Sequence, residues 1–100
     1  MESLDIQPKT QRGDLLAAIG ETLRTERNGR NLTLREVSEG AHVSVSYLAE
    51  IERGEKDPSS KVLESIAGGL DMEISDLLIL IATALEPATV VSVNADSLAA

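Results

Sequence analysis

The sequence has no cysteine, tryptophan or phenylalanine, and its single aromatic residue is Tyr47. Without cysteine, neither disulfides nor thiolate metal sites can hold the chain, and one histidine, His42, is no ligand set for a structural zinc. A lone tyrosine excludes the aromatic platforms on which single-stranded nucleic acid stacks. One histidine and no cysteine also leave no nucleophile–base–orienter set, and no glycine-rich loop follows a strand to cradle phosphate. Enzymatic chemistry is therefore not expected. The most apolar stretch, Leu77 to Ala82, falls far below the roughly 20 residues that span a bilayer. No apolar run follows Met1 as a secretory signal would require. The expectation is a cytoplasmic protein with no cofactor, metal or membrane partner.

What is present is a normal globular share of hydrophobic residues, 42% of 100, enough for one domain with tails. A chain this short buries only about 60% of its unfolded surface, so it gains from pairing with a second copy. The formal charge of −8 opposes contact with nucleic acid in bulk, but its distribution is uneven. All nine basic residues lie between Lys9 and Lys61. From Val62 to Glu86 there are five acidic residues and no basic ones, so any polyanion has to meet the mixed-charge end.

Residues 1–13 are polar, carry Pro8 and Gly13, and lack a period, as a flexible arm does. Periodic apolar residues then mark a five-helix, all-α domain over 14–86. Asp14 is the expected cap of the first helix, with Leu15, Leu16, Ile19 and Leu23 on one face and Asn28-Gly29 as its stop. Thr33 and Glu36 form a capping box for the second, and Gly40 falls near its end. The third runs Val45 to Arg53 and stops at Gly54. Ser59 or Ser60 caps the fourth, whose inward residues are Val62, Leu63, Ile66, Ala67 and Leu70. The fifth spans about 74–85, with Glu73 or Ser75 as cap and Pro87 as terminator. Residues 87–100 have no helical period and read as a tail.

The stretch Leu34 to Arg53, LREVSEGAHVSVSYLAEIER, organises the rest. Val37, Ala41, Leu48 and Ile51 are spaced to point inward where two short helices cross, and Ser38 is small where the backbones approach. Ser44 caps the second of the pair. This is a helix-turn-helix pattern, in which the second helix can lie in the major groove of DNA. By position near its start, Ser44, Val45, Ser46 and Glu50 are the candidate base readers. Ser46 can donate or accept, Val45 can pack on a thymine methyl, and Glu50 can accept from a cytosine amino group. Glu50 equally suits a solvated helix charge that repels phosphate. Backbone contacts are expected from helix N-termini, at Thr33, Leu34 and Arg35 and at Ser59, Ser60 and Lys61, with Arg53 and Lys56 flanking the third helix.

LTLREVS at 32–38, VSVSYLAEIERG at 43–54, PSSKVLESIAGGLDM at 58–72 and the ISDLL that follows resemble the Cro/CI-type, or XRE, family over about Leu15 to Leu85. The resemblance implies a lambda-repressor-like fold that binds double-stranded DNA. More narrowly, these segments are similar to the Clp gene regulators of actinobacteria, small activators of protease genes. The likeness implies an ion pair between Arg27 and Glu52 beneath the helix pair, aiming Arg27 at phosphate. Tyr47, the single aromatic, suits a phosphate contact through its hydroxyl or packing over the second helix, and the likeness favours the phosphate contact. The corner, often glycine in this family, is His42 here, one of the residue types that tolerate positive φ. The ending Leu98-Ala99-Ala100 is similar to tails that Clp proteases recognise, which implies a degradation signal and Clp protease as a partner; an inert end suits the same three residues.

Leu77, Leu78, Ile79, Leu80 and Ile81 are consecutive, so the fifth helix is apolar all round and needs cover on every side. A two-fold dimer through Leu77, Leu78, Leu80, Ile81, Ala84 and Leu85 supplies it and implies a palindromic site. The alternative cover is the segment Ala88–Val93 folding back. The leading expectation is a homodimeric, sequence-specific transcription regulator. The rival is an acidic, antitoxin-like module that masks a partner protein.

Overall fold

The computed structural model describes residues 12–86. They form α1 (Arg12–Gly29), α2 (Leu34–Ala41), α3 (Val45–Glu52), α4 (Ser60–Gly69) and α5 (Ile74–Leu85), with no strand among the described residues. The all-α, five-helix expectation holds. α1 starts two residues before Asp14, which sits in its first turn and is not its cap.

Helices as short as α2 and α3, at 8 residues each, are not stable alone in water, so end-capping and burial must hold them. Thr33 and Glu36 make the full capping box: the Thr33 hydroxyl accepts from the Glu36 N–H at 3.0 Å, and the Glu36 carboxylate accepts from the Thr33 N–H at 2.8 Å. Ser44 caps α3 by accepting from the Tyr47 N–H at 3.0 Å, and Ser59 caps α4 by accepting from Val62 at 3.1 Å. Glu73 stands at the cap of α5 but makes no side-chain cap bond.

The C-terminal ends share one device. Each of α1 to α4 closes with the paired backbone bonds of a Schellman turn, with a left-handed residue just past the helix. These residues are Asn31 (φ 58°), His42 (φ 59°), Gly54 (φ 76°) and Asp71 (φ 62°). α1 ends at Gly29 and α2 at Ala41, as the Asn28-Gly29 stop and Gly40 mark, and His42 takes the positive φ expected of the corner; after α1 the left-handed residue is Asn31. In three of the four turns the next residue is apolar and packs on the core: Leu32, Val43 and Met72. After Gly54 that place is taken by exposed Glu55.

α1 packs against α3 and α5, and α2 against α3 and α4, while α4 also meets α5. Their shared interior holds Leu23, Val37, Leu48, Ile51, Ile66, Leu70 and Leu77 with almost no exposure. Each such side chain contributes about 1.5–3 kcal/mol by leaving water. Leu15, expected on the buried stripe of α1, is exposed, because the stripe begins effectively at Ala18 and Ile19. Two contacts are backbone on backbone. A Cβ on Gly20 would lie 2.7 Å from the Ile51 carbonyl oxygen, and one on Gly69 would lie 2.8 Å from that of Val37. The first sets how closely α1 lies under α3, and the second how closely α4 lies under α2.

The fifth helix corrects the sequence reading. Leu77 and Ile81, assigned to a dimer surface, are core residues of the protomer, at 0% and 5% exposure. Leu85 is half-buried against the same core. Leu80 and Ala84 line a groove against α1, with Glu21, Thr22, Thr25 and Thr83. Of the residues assigned to the interface Leu78, Leu80 and Ala84 are exposed, and Ile79, left out of that set, is the most exposed large apolar side chain among the described residues, at 62%.

Candidate nucleic-acid interface

α3 lies on the outside of the domain, buried along Leu48 and Ile51 and open along its other face. Ser44 and Ser46 are exposed at its start, while Val45, Ala49 and Glu50 are half-buried. The Ser44 oxygen already accepts from Tyr47, so toward a ligand it has its O–H to give. The N–H groups of Val45 and Ser46, in the first turn, have no intrahelical acceptor. A helix start of this kind offers donors and a positive dipole end to an anion. Tyr47 is half-buried and packs against the core cluster, which suits the packing role for its ring.

Beside α3 is a cleft of about 250 Å³ lined by Arg24, Arg27, Leu34, Ala49, Glu52 and Arg53. Three arginines against one glutamate make it basic, in a chain whose net charge is negative. Arg27 and Glu52 are paired as expected: Arg27 Nε donates to Glu52 Oε2 at 2.8 Å and Nη2 to Oε1 at 3.0 Å. Arg27 Nη1 donates to the Leu32 carbonyl at 3.0 Å. With side-chain exposures of 13% and 7%, the pair is mostly covered. The hydrogen bond to Glu52, with its charge, holds the guanidinium more firmly protonated against the opposing effect of burial. Three donor nitrogens engaged within the protein make Arg27 a brace between α1, the α1–α2 turn and α3. Its expected role as a direct phosphate contact is therefore weakened.

Arg24, one turn before Arg27 on α1, is exposed and reaches the same cleft. Sequence reasoning passed over it, although its spacing of three residues from Arg27 places both on one helix face. Arg53 is exposed at the end of α3. Its Nε and Nη2 donate to the two carboxylate oxygens of Glu55 at 3.0 and 3.1 Å.

The remaining expected contacts sit at two helix starts and one loop. At α2 the Thr33 N–H is taken by Glu36, so Leu34 and Arg35 are left with open amides. At α4 the Ser59 hydroxyl is used as a cap, with Ser60 and Lys61 following in the exposed first turn. Lys56 is exposed in the loop between α3 and α4. Leu98, Ala99 and Ala100, and the segment Ala88–Val93, lie outside the described residues. Four acidic residues, Glu26, Asp71, Glu73 and Asp76, line a separate groove where α1 nears α4 and α5, together with Arg30, which pairs with Glu26.

The profile of the helix-turn-helix family matches residues 23–77, from the middle of α1 into α5. The chain belongs to the helix-turn-helix family. Its XRE-type motifs stand as the sequence presents them. This helix-turn-helix domain is 49% identical over 61 residues to the transcriptional regulator ClgR of Mycobacterium tuberculosis, covering 61% of this chain and 54% of that one. It is 38% identical over 60 residues to the immunity repressor protein of Bacillus phage phi105, covering 60% of this chain and 42% of that one. The crystal structure of the clp gene regulator ClgR from C. glutamicum superimposes with a TM-score of 0.67 at 40% identity, covering 72% of this chain and 94% of that one. The chain spans about half the length of the curated relatives it matches. These relatives are named as a transcriptional regulator, an immunity repressor and a clp gene regulator. No helix among the described residues is long and apolar enough to cross a membrane.

Proposed function

We propose that this chain is a sequence-specific regulator that binds double-stranded DNA as a homodimer and activates genes of the Clp protease system. One observation carries the DNA-binding reading: α3 opens with exposed Ser44 and Ser46, and its other end, at Ala49, Glu52 and Arg53, borders a cleft that Arg24 and Arg27 also line. In this reading Ser46, Val45 and Glu50 meet base edges. Arg24, Arg53, Lys56, Lys61 and the helix starts at Leu34–Arg35 and Ser60–Lys61 meet phosphates. The protease-gene assignment rests on the likeness to ClgR. The sign of regulation rests there too, because a second relative is named a repressor. The dimer would form through the outward face of α5 at Leu78 and Ile79, and the tail Leu98-Ala99-Ala100 would be read by a Clp protease.

The test is selection of duplexes from a random 30-base-pair pool by the full chain, followed by binding of the enriched duplex across a salt series. Four cationic contacts per protomer would neutralise about eight phosphates in a dimer, so log K should fall against log salt with a slope of roughly −7. A palindrome with half-sites roughly 34 Å apart is the expected product. No enriched sequence would overturn the reading. The antitoxin-like alternative has one observation in its favour, a groove of about 420 Å³ in which Asp71, Glu73 and Asp76 stand beside the paired Glu26 and Arg30.

A further inference from the structure

We infer that Glu55 is a positioning residue for DNA binding: it grips the side edge of the Arg53 guanidinium so that the adjoining end edge is presented to a DNA phosphate. The inference rests on the DNA-binding function proposed above and names a residue that function does not assign.

The backbone brings the pair together. Arg53 ends α3, and Gly54 at φ 76° reverses the chain. The Glu55 N–H donates to the Glu50 carbonyl at 2.9 Å and the Gly54 N–H to the Ile51 carbonyl at 3.0 Å, which completes the Schellman turn. In the other three such turns of the domain this position holds Leu32, Val43 or Met72, packed on the core. Here alone among the four it is charged and exposed, and its carboxylate turns to Arg53 instead of to the interior.

The geometry of the grip determines what is left over. A guanidinium carries five N–H donors in one plane. Glu55 takes one from Nε and one from Nη2, the side edge. The end edge between Nη1 and Nη2 remains, and its two parallel donors match two oxygens of a phosphate. Arginine otherwise loses considerable rotamer freedom when it binds, and a side chain already held loses less. Arg53 lies at the far end of α3 from the base-reading first turn and borders the cleft of Arg24 and Arg27, which favours phosphate over a base edge as its partner.

Positioning and plain electrostatics predict opposite signs. If Glu55 only repelled DNA, Glu55→Ala would tighten binding. If it positions Arg53, Glu55→Ala weakens binding by about 3- to 10-fold even though a negative charge has been removed. The experiment is fluorescence anisotropy with the full chain on its own selected duplex and on a scrambled duplex. It compares wild type, Glu55→Ala, Arg53→Ala and the double variant, with circular dichroism confirming the fold of each. Expected are weaker binding by Glu55→Ala on both duplexes and a shallower salt slope. In the Arg53→Ala background the effect of Glu55→Ala should vanish or reverse. Tighter or unchanged binding by Glu55→Ala overturns the inference, as does the same weakening in the Arg53→Ala background. A loss confined to the selected duplex overturns the phosphate assignment in favour of a base contact. Failure of the wild type to select any duplex would instead defeat the DNA-binding function itself.

Discussion

Gly68 and Gly69 are chain neighbours at the end of α4, and alanine should act on them with opposite signs. Either substitution removes backbone freedom from the unfolded chain and raises helix propensity, a gain of about 0.5–1 kcal/mol near a helix end. At Gly68 nothing lies within 4 Å of the added methyl, so that gain should be kept. At Gly69 the methyl would sit 2.8 Å from the Val37 carbonyl oxygen and 3.2 Å from the Ala41 amide nitrogen. Both are backbone atoms of α2 and cannot swing aside as a side chain could. Relief requires α2 and α4 to part by several tenths of an ångström along the contact that closes the core under Val37 and Ala67. Such overpacking costs about 1–3 kcal/mol, which exceeds the gain. The net expectation is stabilisation by roughly 0.5 kcal/mol for Gly68→Ala and destabilisation by roughly 1–2 kcal/mol for Gly69→Ala. In a domain of this size 1 kcal/mol moves the midpoint by about 4–8 °C, so the two variants should melt roughly 6–20 °C apart. Thermal melts followed at 222 nm decide it. Equal shifts, or a Gly69→Ala variant more stable than wild type, would refute the argument from close approach.

Glu52→Ala should lower stability by about 2–3 kcal/mol in urea unfolding, because it strands a mostly covered Arg27; replacing both by Arg27→Met with Glu52→Leu should recover most of that loss. The Glu55 carboxyl is held below its ordinary 4.5, chiefly by the hydrogen bond from Arg53. Its stabilising contribution is therefore present above the ordinary value and lost as pH falls through the lower one. A carboxyl-carbon NMR titration should place its midpoint under 4.5, and Arg53→Ala should move it back up. Ile79→Asp should leave the melting curve near that of wild type and shift sedimentation toward monomer, whereas Ile81→Asp should unfold the protomer.

Residues 14–86 announced their helices because helix signals are local. A stripe at a period of 3.6 residues marks the buried side, and Thr33, Ser44 and Ser59 each satisfy amides only three residues away. The same locality made the helix-turn-helix pair and its exposed Ser46 readable, and the bidentate Arg27–Glu52 pair followed from the family likeness.

Other features depended on how the helices cross. A helix as uniformly apolar as Leu77 to Ile81 has no face marked in its own sequence. Packing against α1 and α4 chose Leu77 and Ile81 for the interior and left Ile79 outside. Likewise, Asn31 and Asp71 belong to residue types that tolerate positive φ, but the sharp turn into the next helix selects these positions for it. Arg24 joins the basic cleft, and Glu55 meets Arg53, only once α1 lies beside α3 and the turn at Gly54 is closed. The chain's own order thus determined which segments are helical and, from α2 to α4, the residues that cap their starts. The packed domain decided which side chains those helices bury and which arginines they leave in reach of a ligand, because both depend on contacts between segments far apart in the chain.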